Sequence, residues 1–432
     1  MGEGATVARQ RFLVPGRRRF VTGAAAFVAT AGWLVPRAAP GASREPIVIG
    51  HQCDLTGGIS SWGYWHDKAA QAAVAEINRA GGIAGREVRL VTEDTETNPT
   101  VGARKFRRLV QLHKADFVIG SVHSGVNIAS TPVAKELRVV YIPQGMAAEM
   151  TEDKGSRWVF RIGSDTYSQA AAGAPWVSAN LGKRWTFIFA DYAWGWSHYH
   201  EHKRVIEELG GRVMGHIPVP QGTKDFIPYL AKVPADTDEL YSIFFGADSV
   251  AYFTQSKQLG LDRRMHRYTV ICTHEAFSPR DIQGASEGIY LLEYLPRQLK
   301  FKDTPYNRKL RELVGVDPVE GREGGGTRVL ASSHYWAVWE SVWLVKEGIE
   351  KSGWKSRKDT PDWIRAVEGM ELKESLAHPQ GDKVIRAQDH KAVIDFWMSK
   401  VEQGDINVKF KIPKEEVAKK FPPRVDHTRE PF

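Results

Sequence analysis

From Ile47 onward the chain alternates short β-branched or apolar runs with longer stretches whose apolar residues recur at helical spacing. Residues 46–50 read as a first strand, and Asp54, Leu55, Thr56, Gly57 and Gly58 as a loop of turn formers. Residues 67–79 carry Ala, Val and Ile on one helical face and stop at Gly81 and Gly82. A strand over 88–92 exits into Glu93 and Asp94. A helix over 100–113, a strand over 117–120, a helix over 127–137 and a strand over 139–142 follow. Strands alternating with helices of this length predict parallel pairing with right-handed crossovers, and such sheets take ligands at the carboxyl ends of their strands.

The pattern then restarts. Residues 185–189 predict a strand opening into Asp191, Tyr192, Ala193, Trp194 and Gly195, followed by a helix to Leu209. Further strands are expected over 240–245 and 268–272, with a helix over 251–259 between them and Gly260 closing it. Two successive α/β runs predict two lobes of related architecture. After Pro296 come helices rich in Trp and Tyr, including residues 332–348, and final strands are expected over 384–386, 389–390 and 392–397. The loop 314–327, with its Gly324, Gly325 and Gly326, is expected to be mobile. There is no internal repeat of 20 to 50 residues.

With 432 residues and 42% apolar content the chain can bury two cores. Its formal charge of +8 is misleading, because residues 1–42 hold six arginines against the single acid Glu3. Without them five charges go and +3 remains. A remainder so near balance does not point to nucleic acid or to an anionic membrane. Those residues end a basic region in Arg17, Arg18, Arg19 and Phe20, run through apolar, Ala-rich sequence to about Val35, and finish in small residues. This reads as a removable export signal of residues 1–42. The paired arginines resemble a twin-arginine signal, which exports folded proteins; an ordinary secretory signal with extra arginines is the other reading. The mature chain is thus expected in the periplasm or at the cell exterior, without a membrane span. Two cysteines, Cys53 and Cys272, are too few for a disulfide scaffold and are expected as buried, unpaired thiols on different lobes beside the cleft.

Candidate chemistry gathers where strands end. Gly120, Ser121, Val122, His123, Ser124 and Gly125 lead from the third strand into a helix, where a hydroxyl and backbone N–H groups could cradle an anion. Ser124 acting only as a helix cap is the plainer alternative. Aromatic residues recur after strands, with Trp62, Tyr64 and Trp65 in one place and Tyr192, Trp194 and Trp196 in another. Such rings can sandwich an apolar or aromatic guest. Asp248 and Glu275 follow strands of the second lobe, where either carboxylate could accept an ammonium, or could simply be a solvated acid. His198 and His202 have the spacing of a helical metal pair, but no carboxylate completes the set, and a solvated helix face is expected. No phosphate loop, dinucleotide fingerprint or nucleophile elbow is present, so neither a cofactor nor a metal is called for.

Several pieces in register resemble the type I periplasmic solute-binding proteins of the branched-chain amino acid and amide group, which serve ABC transporters. They are Ile47 to Gly50 with Leu55, Thr56 and Gly57; Asn78 to Arg86 with its Gly-Gly-Ile-x-Gly-Arg ending; Glu93, Asp94 and Thr95; Asp191 to Gly195; Thr223 to Phe226; and Arg386 to His390. The resemblance implies two hinged Rossmann-like lobes, residues 46–163 plus 297–375 and 164–296 plus 376–432. It implies a substrate-binding component that works as a monomer with membrane permease subunits. It also implies that Ser124 holds the ligand carboxylate, flanked by Val122 and His123, with Trp62 and Trp194 as cleft aromatics. Where amino-acid binders of the group have a small residue and then a Thr, this chain has Gln144, Gly145 and Met146. Losing that hydroxyl argues against a plain α-amino acid and for an apolar or aromatic carboxylate or an amide. Two rivals remain: a receptor's sensing domain of the same fold, and an exported hydrolase using Ser124 with His123.

Overall fold

The computed structural model describes residues 45–432; the export leader expected at 1–42 lies outside the described residues. β1 (Ile47–Cys53) is buried along its whole length, as a strand covered on both faces must be. α1 (Ser60–Arg79), β2 (Val88–Asp94), α2 (Pro99–Gln111), β3 (Phe117–Gly120), α3 (Ser124–Leu137) and β4 (Val140–Ile142) follow. The four strands pair in the order β2-β1-β3-β4, all parallel.

The chain continues through α4 (Thr166–Asn180), β5 (Arg184–Ala190), α5 (Ala193–Glu208), β6 (Arg212–Val219), α6 (Ile227–Leu230), β7 (Glu239–Ile243), α7 (Gly246–Gln258), β8 (His266–Val270) and β9 (Tyr290–Glu293). It then passes α8 (Pro305–Val314), α9 (Tyr335–Ser352) and α10 (Thr360–Val367), which pack with α1 and β3 beside the first sheet. A small antiparallel sheet joins β10 (Glu371–Leu372), β11 (Lys383–Ile385) and β12 (Ala392–Val393). β13 (Phe396–Glu402), β14 (Asp405–Ile412) and α11 (Lys414–Lys420) close the order. The second large sheet runs β14-β13-β9-β8-β7-β5-β6, parallel from β6 to β9 and antiparallel at β13 and β14. The chain therefore passes between the two large sheets three times. Among the described residues no helix is long and apolar enough to cross a membrane.

Some expectations change. α1 starts at Ser60 rather than near 67, because Trp62, Trp65 and His66 are buried on the same face as the Ala and Ile positions that follow. The strand expected at 389–390 is a turn, with His390 at φ 54 and its N–H donating to Arg386 O at 3.0 Å. The single strand expected over 392–397 is split between two sheets. The loop 314–327 carries structure of its own: bridges join Val316 to Glu323 and Arg322 to Val329, and Arg322 pairs with Asp281 at 3.2 Å. Nor are His198 and His202 a solvated face. Both are fully buried against β7, His198 Nδ1 lying 2.9 Å from Tyr241 Oη, while His200 is exposed. Cys53 and Cys272 are both free and buried.

Candidate ligand site

Parallel strands deliver their loops to one edge. β1, β3 and β4 lead to Ile59 and Trp62, to Val122 and to Met146. In the second sheet β5, β7 and β8 lead to Tyr192 and Trp194, to Phe245 and to Cys272. These residues and His334, which precedes α9, line one cavity with about 320 Å³ of atom-free space, partly open to solvent. Its place at the carboxyl ends of the strands follows the general rule for α/β sheets.

The loops are held by specific contacts. Asp54, buried after β1, accepts hydrogen bonds from Val122 N at 2.8 Å, from Ser121 Oγ at 3.0 Å and from Thr95 Oγ1. That carboxylate sets the turn in which Ser121 takes the left-handed φ of 46. The first turn of α1 lies so near the β1 exit that a Cβ on Gly63 would stand 2.0 Å from Asp54 O. The first turn of α5 repeats this, with Gly195 at 2.1 Å from Ala190 O. Two glycines thus let the helices carrying Trp62 and Trp194 approach the strand ends.

Rings dominate the wall. Phe245 meets Trp62 edge-on at 6.2 Å and Tyr192 edge-on at 5.7 Å, so aromatic groups following strands of both sheets touch across the cavity. Trp62, Met146, Trp194, Cys272 and His334 are all buried. No Lys or Arg is among the lining residues. Burial holds the His334 imidazole near a pKa of about 3, helped by the Arg161 charge, so the ring is neutral. Burial likewise pushes the Cys272 thiol up, with Glu275 adding to the effect. Behind the wall, Glu275 accepts from Ser333 N at 2.5 Å and Ser333 Oγ at 2.6 Å, and burial raises its carboxyl to about 6. Trp194 Nε1 and His334 Nε2 are buried without a partner. A neutral, ring-lined space with two unused polar atoms suits a flat or apolar guest carrying one polar group.

Of the residues expected from the sequence, Trp62, Val122, Met146 and Trp194 line this cavity. His123, Ser124, Gln144, Gly145, Asp248 and Glu275 do not. His123 caps α3 by accepting from Val126 N at 3.3 Å, and its ring stacks on Tyr192 at 5.1 Å. Ser124 is therefore not the cap, and its hydroxyl accepts from Ala147 N at 3.3 Å. Gln144 turns inward, donating to Ser341 Oγ at 2.8 Å, and Gly145 N donates to Asn127 Oδ1 at 2.8 Å. Asp248 accepts from Gly222 N at 2.9 Å in the first turn of α7. Ile59, Phe245 and His334 were missed. Phe245 ends a predicted strand and could have been found by position. Nothing local marks His334, which arrives from a different crossing of the chain.

The model of one family, described as Periplasmic binding protein, matches residues 46–405. The chain belongs to that family. It is a solute-binding protein and not an enzyme. The leucine-, isoleucine-, valine-, threonine- and alanine-binding protein of Pseudomonas aeruginosa is 26% identical over 328 residues, 75% of this chain and 83% of that one. Leu/Ile/Val-binding protein homolog 3 of Brucella melitensis is 29% identical over 236 residues, 54% of this chain and 61% of that one. Among solved structures, the solute-binding protein of an R. palustris ABC transporter in complex with benzoate superposes with a TM-score of 0.72 at 19% identity, covering 85% of this chain and 96% of that one. A leucine-binding protein from Thermotoga maritima MSB8 gives 0.71 at 22% identity, covering 86% and 99%. These likenesses establish the α/β fold with two mainly parallel sheets.

Proposed function

We propose that this protein traps a small aromatic or apolar acid, or the matching amide, between its two large sheets and delivers it to the membrane subunits of an ABC importer. The lobes in this reading are residues 46–163 plus 297–375 and 164–296 plus 376–432, and the leader exports the chain. The aromatic cavity carries the proposal. Trp62, Tyr192, Trp194 and Phe245 would enclose an apolar body, each ring burying roughly 150 to 250 Å². Trp194 Nε1–H, without a partner in the cavity wall, would donate to the guest's polar group.

A free α-amino acid fits less well. Its ammonium needs a facing carboxylate, yet neither Asp248 nor Glu275 is among the residues that line the cavity. Val122, Met146, Trp62 and Trp194 would touch the guest, whereas His123, Ser124, Gln144 and Gly145 would brace the loops that present them. The benzoate held by the R. palustris protein is a guest of the kind proposed.

Melting of the purified protein against benzoate, 4-hydroxybenzoate, benzamide and leucine tests the idea. A guest present at 100 times its dissociation constant should add about 2.7 kcal/mol of stability. The aromatic compounds should raise the melting temperature and be recovered unchanged. Stabilisation by leucine alone would replace this reading with that of an amino-acid carrier.

A further inference from the structure

Behind the aromatic wall, one corner of the cavity holds a second kind of chemistry. Cys272, Glu275 and His334 are all buried, and each presents one ligand atom within 4.8 Å of the others. Cys272 and His334 line the cavity itself, and so does Met146, whose Sδ lies 3.7 Å from Cys272 Sγ.

The hydrogen bonds around this corner decide which nitrogen is free. Ser333 Oγ has one proton and gives it to Glu275 Oε2 at 2.6 Å, since an ionised carboxylate can only accept. Ser333 Oγ is also bonded to His334 Nδ1, so it must accept the Nδ1 proton. The imidazole is then fixed in the tautomer that leaves Nε2 as a bare lone pair, and that atom is buried without a partner. His66 does not supply one: its ring stands 5.8 Å away and its own Nε2 is also unpartnered. The imidazole grouped with the thiol and the oriented carboxylate thus carries an orphan lone pair, which asks for a cation or a donor.

We propose that Cys272, Glu275 and His334 form a binding site for a thiophilic divalent ion of the Zn²⁺ class, with the fourth position facing the cavity. Thiolate, imidazole and carboxylate are the ligands such ions choose, and three protein ligands with one open position is the arrangement that admits an exogenous ligand. Binding converts the Cys272 S–H bond into a sulfur–metal bond and releases one proton. The two negative ligands then balance the double charge of the ion in an apolar surrounding. Ligand atoms around a tetrahedral Zn²⁺ stand roughly 3.3 to 3.6 Å apart, so closing the present cluster needs side-chain shifts of about 1 Å. The open position supplies what the cavity wall lacks, an electrophile for an oxygen of the guest. This last step rests on the function proposed above; the metal site itself does not.

Co²⁺ titrated into the metal-free full chain is the direct probe. One equivalent should bring up the intense near-ultraviolet thiolate-to-cobalt absorption, and Zn²⁺ should abolish it. Cys53→Ser should leave the band in place, Cys272→Ser should remove it, and His334→Gln should weaken cobalt binding by tenfold or more. Circular dichroism and melting establish that each variant folds. If Cys272→Ser fails to fold, His334→Gln with its thiol intact decides the matter. No band from the folded wild-type protein overturns the site, as does a band that survives both Cys272→Ser and His334→Gln. Melting against benzoate with and without Zn²⁺ separates the two proposals. Stabilisation by benzoate with no cobalt band sinks the metal and keeps the cavity; a cobalt band with no guest in either condition keeps the metal and sinks the acid.

Discussion

His198 and His202 show how far one residue's role depends on what it packs against. From spacing alone they read as an exposed face, but α5 turns them onto β7, where burial lowers both pKa values, that of His202 from 6.5 to about 3. The folded value lies below the unfolded one, so between these two pH values the unfolded chain binds more protons. Stability is therefore complete above about 6.5 and is lost as the pH falls toward 3. For His202 alone the loss at pH 5 is about 2 kcal/mol. Urea melts at pH 7 and pH 5 should show a drop of at least this size, and His202→Gln should flatten it. A midpoint equally pH-dependent in that variant would place the titration elsewhere. The same dependence on surroundings explains the site. Trp62 and Trp194 were legible because large rings beside strand ends have few other places to go. The contact of Ser124 was not, because its hydroxyl accepts from Ala147 N, a partner 23 positions away.

Elements were the most readable scale. Short apolar or β-branched runs marked β1, β3, β4, β5, β7 and β8 nearly where they lie, since those strands are buried along most of their length, and Val88, Leu90 and Val91 marked the half-buried β2. β6 and β14 escaped notice because they are sheet edges with exposed and half-buried positions and carry no continuous apolar run. The packing of helix onto strand exit was hidden as well. Gly63 looks like a poor helix residue, which costs about 1 kcal/mol against Ala in an ordinary helix. Here the sign reverses, because an added Cβ would meet Asp54 O at 2.0 Å. Gly63→Ala should thus destabilise the fold by about 1 to 3 kcal/mol and weaken guest binding through displacement of Trp62. A variant as stable as the parent and as tight toward its guest would show that α1 can shift freely.

At the scale of the whole molecule, the cavity lies where the chain's three passages bring two sheets edge to edge. Its walls are packed closely, with Trp62 3% and Trp194 5% exposed. In the proposed function a guest would enter as the two sheet edges part, a hinge motion in which the linking segments would absorb the change. Small-angle scattering should give a smaller radius of gyration with a saturating guest than without. An identical radius in both states, with binding established by melting, would mean a rigid cavity reached by side-chain motion alone.

What the sequence determined by itself was the alternation of strand and helix, hence two mainly parallel sheets, the edge at which sheets of this kind take ligands, and the family motifs at strand exits and helix ends. Those signals are local, written in residues two to four positions apart. Tertiary structure alone decided which atoms remain available at that edge. Phe245, Cys272 and His334 meet Trp62 and Met146 across long stretches of the chain. Whether a hydroxyl, a carboxylate or a ring nitrogen is spent on a neighbour or left for a guest is settled by contacts that no periodicity records.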